Sequence, residues 1–227
     1  MIVLIAATAF VGTHFILSHP LRAPLVARLG EKGFLGVYSL VAAVTLIWMI
    51  VAYRAAPVTP LLWPVGDGLW VIATLIMLVA SILLLGSLVG NPAMPNPDGP
   101  IMVPAEAKGV FAITRHPMMW AFAMWGLAHI LVYPVAANII VSAAIILLAL
   151  VGAALQDRKK KVLTPAAWQH WESRTSYWPF AAILAGRARF GRFGMHALAG
   201  GLVVWLAATW AHMPLAGWPA GIWRWLG

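Results

Sequence analysis

The chain has 227 residues, of which 63% are hydrophobic and 9% charged, and a mean hydropathy of +0.89. Soluble domains run at about half apolar and about a quarter charged, so a soluble globular domain is excluded and the chain is counted in bilayer spans. It has no cysteine, which removes disulfides, thiolate metal ligands, iron–sulfur clusters and cysteine nucleophiles. The net charge of +9 raises nucleic acid as a partner, but no soluble domain is present to display a basic patch, and nucleic-acid binding is not expected.

The N-terminal run MIVLIAATAFVGTHFIL lacks a basic leader and continues past the small-residue triplet Ala7-Thr8-Ala9, so it reads as an uncleaved first span. Further apolar stretches lie at about 35–53, 69–89, 117–133 and 135–155. A sixth at about 196–213 is weakened by Gly200, Gly201 and His212. Runs of this length satisfy their backbone in hydrocarbon only as helices. The predicted fold class is therefore all-α, a polytopic transmembrane helix bundle of five to six spans.

With the N-terminus outside, loops at about 20–34, 90–116 and 156–195 carry 13 of the 15 basic residues, leaving only Arg54 and Arg224 opposite. That is the asymmetry expected of cytoplasmic loops, and it accounts for the basic excess together with attraction to anionic lipid. The stretch Asn91–Pro104 contains five prolines and reads as a connector, with a lid over a cytoplasmic pocket as the functional alternative. Thr164-Pro165 predicts a helix start. The following Trp168, Trp171 and Trp178, set among charges, suggest an amphipathic helix in the interface, within a cytoplasmic segment 156–195.

Ionisable residues inside spans are candidate functional groups, because burying them unpartnered is costly. His14 lies in the first span and His129 in the fourth. At comparable depths on two helices they could each give one axial nitrogen to a haem iron, or each could hydrogen-bond a carbonyl or hydroxyl across a helix interface. Arg115-His116-Pro117 places an arginine and a histidine at a helix N-terminus. That is an anion site suited to a haem propionate, a nucleotide phosphate, a cofactor carboxylate or a lipid phosphate. Asp157 and Arg158 close the fifth span, and with Arg174, Thr175 and Ser176 they could line a polar cytoplasmic pocket. Arg115, His116, Arg158 and Arg174 are thus the cofactor-binding candidates, and His14 and His129 the metal-ligand candidates.

The ordered set formed by His14, the segment Leu25 to Val41, ITRHPMM (113–119), WGLAH (125–129), QDRK (156–159) and RTSYWPFAAI (174–183) resembles the NnrU family of bacterial membrane proteins. Through that family it resembles the 15-cis-zeta-carotene isomerase of plants and cyanobacteria. The resemblance covers about residues 1–190 and leaves 191–227, the sixth span and a Trp-rich tail, outside it. It implies a multi-pass protein of the bacterial inner membrane. In the isomerase type it implies haem b held by two histidines, matched here by His14 and His129, with a long apolar substrate such as a polyene. In NnrU members it implies a link to denitrification, hence a redox- or NO-responsive factor and possible respiratory or denitrification complexes as partners. The isomerase has a cysteine three residues before its second histidine, where this chain has Gly126. RHP followed by a helical hairpin and an aromatic tail is also similar to the isoprenylcysteine methyltransferase family, which uses S-adenosylmethionine. That family's paired glutamates are here Gln156-Asp157. A non-catalytic assembly partner is the third reading.

Overall fold

A computed structural model describes residues 1–94 and 103–226. The elements are α1 (Ile2–Ser18), α2 (Arg22–Arg54), α3 (Asp67–Gly86), α4 (Val110–Ile113), α5 (Pro117–Val132), α6 (Ala136–Leu163), α7 (Pro165–Arg174), α8 (Ala181–Leu184), α9 (Met195–Ala216) and α10 (Trp223–Leu226). Among the described residues there is no strand. Four helices, α2, α3, α6 and α9, are long and apolar enough to cross a membrane, and α1 and α5 are apolar but shorter. Large side chains such as Leu40, Val44, Ile47 and Val51 point outward along one stripe of α2, the surface a bilayer covers and water does not.

The helices pack side by side in the order α9, α3, α5, α6, α1, α2. Two small-residue contacts set the spacing. A Cβ at Gly126 of α5 would lie 2.8 Å from the Ser142 carbonyl oxygen and 2.7 Å from Ile146 Cγ1 of α6. A Cβ at Gly201 of α9 would lie 2.8 Å from Ile82 Cα of α3. In lipid, where burial of apolar surface does not drive association, such close backbone approach is a main source of helix–helix attraction. The glycine that weakens the sixth apolar stretch as a sequence signal is thus what docks α9.

The expected loop at 20–34 is instead helical from Arg22. Gly30, at φ 69° and ψ 172°, absorbs the bend in a conformation that L side chains rarely adopt, and Arg22 and Glu31 close it with an ion pair of 2.7 Å. Similarly α6 runs on through the charged residues to Leu163, so 156–163 belongs to that helix. Pro165 opens α7 as expected, but Thr164 Oγ1 donates to the Lys160 carbonyl at 3.1 Å and caps nothing ahead of it. Trp168 and Trp171 are fully buried and only Trp178 is exposed. The first two form the centre of a core with Leu83, Val110, Phe111 and Ile113, so α7 is anchored by tryptophans turned inward. Of the proline-rich stretch 91–104, residues 95–102 lie outside the described residues. Its start is tied down by Gln156, which donates to the Ala93 carbonyl at 2.7 Å, and by Lys160, which donates to that of Pro92 at 3.1 Å.

Candidate functional site

Pro117 at the first position of α5 forces the preceding residues out of the helix, and Thr114 is accordingly extended. This short stretch lies against residues 176–180. Arg115 N–H donates to the Ser176 carbonyl at 2.8 Å and Phe180 N–H to that of Ile113 at 2.7 Å. Thr114 Oγ1 and Trp120 Nε1 both donate to the Tyr177 carbonyl, at 2.7 and 3.0 Å. The Arg115 and His116 side chains then meet α6. Arg115 donates to Asp157 Oδ2 through Nε at 2.9 Å and Nη2 at 2.7 Å, and Nη2 lies 3.2 Å from Glu172 Oε1. His116 Nε2 donates to Asp157 Oδ1 at 2.7 Å. Lys161 completes the group at 3.1 Å from Glu172.

This knot joins the three stretches ITRHPMM, QDRK and RTSYWPFAAI in one place. Its centre is buried: the His116, Asp157 and Arg115 side chains are 1%, 9% and 11% exposed. His116 Nδ1 is buried without a hydrogen-bond partner among the described residues. Tyr177, whose hydroxyl donates to the Leu150 carbonyl at 2.7 Å, has its phenol pKa raised by burial and further by the Asp157 charge. The anion that Arg115 and His116 are suited to bind is therefore the chain's own Asp157. An external carboxylate or phosphate would have to displace a charge-assisted pair from a buried site.

The remaining arginine candidates lie apart from this centre. Arg158 is exposed on α6. Arg174 donates to the Ala105 carbonyl. Glu172, Lys161 and Arg187 were not legible as partners. Arg187 donates to the carbonyls of Glu172, Ser173 and Thr175 at 3.0, 3.3 and 2.8 Å, closing the end of α7. No periodic spacing links Arg187 to those carbonyls, because the connection is made by a loop.

A cleft of about 420 Å³ lies between α1, α2, α5 and α6. Phe10, Leu46, Met119, Phe122, Ile145 and Leu148 make apolar walls, and Ser18, His19, Gln156 and Lys159 make one polar, basic end. His14 lines it. Its Nδ1 lies 2.6 Å from the Phe10 carbonyl, and since a carbonyl only accepts, Nδ1 carries the proton and Nε2 keeps the free lone pair. Its ring packs against Tyr38 at 5.4 Å.

His129 is elsewhere. Its Nδ1 is bound in the same way to the Trp125 carbonyl, at 2.8 Å. Its ring packs on Trp125 at 4.1 Å and lies 6.1 Å from the His212 ring of α9, centroid to centroid. Asn138 donates to the His129 carbonyl at 2.9 Å, which sets His129 level with the start of α6. Phe15, next to His14, lies 3.9 Å from the position of a Gly152 Cβ, fourteen residues further along that helix, or about 21 Å at 1.5 Å per residue. One iron, about 2 Å from each nitrogen, does not span that distance, and the structure does not bring His14 and His129 together. Among the described residues no three histidine or carboxylate side chains are grouped to hold a metal ion.

No curated protein and no solved structure matches the chain. A family model, that of the NnrU protein, matches residues 2–220, nearly the whole chain and well past residue 190, so that α9 falls within it. By that match this membrane-type helical chain belongs to the NnrU family.

Proposed function

We propose that the chain is a haem b-binding membrane protein in which His14 is the one histidine that would hold the iron, acting as a redox- or NO-responsive factor. The observation that carries this reading is the state of His14: its Nδ1–H is pinned to the Phe10 carbonyl, so Nε2 is the free nitrogen at a largely apolar cleft. A metal-bound histidine usually donates its far ring N–H to a carbonyl or carboxylate in this way. The donor set suits haem, since the apolar walls match the macrocycle, Lys159 offers charge and His19 and Gln156 offer N–H groups to its propionates. When bound, haem would supply an iron able to take up or release an electron or to bind a small ligand such as NO.

Tyr38, packed on His14, orients the imidazole, and the surrounding leucines and phenylalanines exclude water. The volume of about 420 Å³ suits one ligand of moderate size. This favours a responsive factor over an isomerase that must house haem and a long polyene together. The methyltransferase reading, in which Arg115 and His116 would contact the carboxylate of S-adenosylmethionine, is weakened because Asp157 already occupies both.

The test is an absorption spectrum of protein purified in mild detergent from haem-supplemented cells, air-oxidised and then reduced, with CO or NO added. A five-coordinate haem lost in His14→Ala and retained in His129→Ala is expected. A low-spin spectrum lost in both variants would refute the single-ligand geometry. A flat spectrum would end the haem reading and turn attention to S-adenosylmethionine binding and to partner capture.

A further inference from the structure

We propose that His129 and His212 form a binding site for a single transition-metal ion at the end of the bundle opposite the basic knot. The two rings are neighbours across α5 and α9, with centroids 6.1 Å apart and planes 34° apart. Both side chains are fixed in one tautomer. Nδ1 of His129 donates to the Trp125 carbonyl at 2.8 Å, and Nδ1 of His212 donates to the Ala208 carbonyl at 2.7 Å. Each Nε2 therefore carries a lone pair and lacks a proton, which is the form that binds a metal.

The spacing suits one ion. An ion on which both Nε2 atoms converge, with two metal–nitrogen bonds of about 2.0 Å and half a ring beyond each, would put the centroids roughly 6 Å apart. The helical carbonyls behind each ring serve as the outer-shell acceptors that orient metal-bound imidazoles. Trp125, stacked on His129 at 4.1 Å, holds that ring in place. Asn138 fixes the backbone beneath it by donating to the carbonyls of His129 and Tyr133 at 2.9 and 2.7 Å. Two neutral imidazoles with no carboxylate grouped beside them among the described residues select a borderline-soft, nitrogen-preferring ion such as copper or zinc over magnesium or calcium. His212 is only half buried, so water or another small ligand can complete the coordination. The site is separate from the His14 cleft, and neither histidine lines that cleft.

The experiment uses tag-free full-length protein in detergent, titrated with Cu(II) and read by metal content and by electron paramagnetic resonance. One copper per chain with hyperfine coupling to two imidazole nitrogens is expected, and the same result is expected in His14→Ala, which lacks the proposed haem ligand. His212→Gln and His129→Gln should each weaken binding at least tenfold, since loss of an outer-shell partner alone costs about 10–100-fold, and should leave coupling to one nitrogen. Should His129→Gln fail to fold, His212→Gln at the half-exposed position decides. Copper binding unchanged in His212→Gln overturns the proposal, as does wild-type protein that binds no more copper than the double variant. A haem spectrum altered by His212→Gln, with no copper bound, also overturns it by giving the pair to iron; haem lost only in His14→Ala bears on the cleft alone.

Discussion

Replacing Asp157 by asparagine keeps the side chain's size and removes its charge, which isolates what the carboxylate does in the knot. In the native chain it accepts from Arg115 at 2.7 and 2.9 Å and from His116 at 2.7 Å. Removing one member of a buried ion pair costs about 3–5 kcal/mol, because the other charge stays buried without its partner. Arg115 retains Glu172 at 3.2 Å, so the lower figure, about 3 kcal/mol, applies. For a chain of this size that corresponds to a fall in melting temperature of about 6–12 °C, read by size-exclusion chromatography of heated detergent-solubilised protein. A cycle with Arg115→Met adds a second check: the two substitutions together should be less destabilising than their sum by about 0.5–3 kcal/mol. A melting temperature for Asp157→Asn within about 2 °C of wild type, or strict additivity in the cycle, would refute the knot as a buried lock.

Other perturbations test the packing and the cleft. Gly201→Val should destabilise by about 1–3 kcal/mol through overpacking, since even a Cβ there would meet Ile82 Cα at 2.8 Å, and a thermal melt measures it. Gly126→Cys restores the thiol found in the isomerase but should open the α5–α6 contact and lower the melting temperature, because the Ser142 carbonyl lies 2.8 Å from the new Cβ. Trp168→Ala removes a fully buried indole and should cost about 3–5 kcal/mol, seen as loss of monodisperse protein on gel filtration. Gly152→Trp, at a position where a Cβ meets only Phe15 at 3.9 Å, should fill the cleft and abolish haem uptake without lowering the melting temperature, whereas Gly152→Ala should leave both unchanged.

The sequence by itself determined the class of fold. Long apolar runs in a chain with 9% charged residues permit only helices in hydrocarbon, and the prolines at 117 and 165 mark where two helices begin. The positions of α1, α3, α5 and α9 were legible because hydropathy and proline act locally. The helix that Gly30 bends and the continuation of α6 to Leu163 were not, since charged residues can extend a helix as readily as end it. Local sequence also flagged His14, His129, Arg115 and His116 as costly to bury, but only tertiary structure decided their partners. Asp157 and Glu172 reach Arg115 from 42 and 57 residues away, His212 reaches His129 from α9, and His14 is left facing a cleft of its own. Periodicity reports which face of a helix a residue occupies; the height of one helix against another is set by contacts such as Gly126 on Ser142, Phe15 on Gly152 and Asn138 on the His129 carbonyl, and those exist only once the helices have packed.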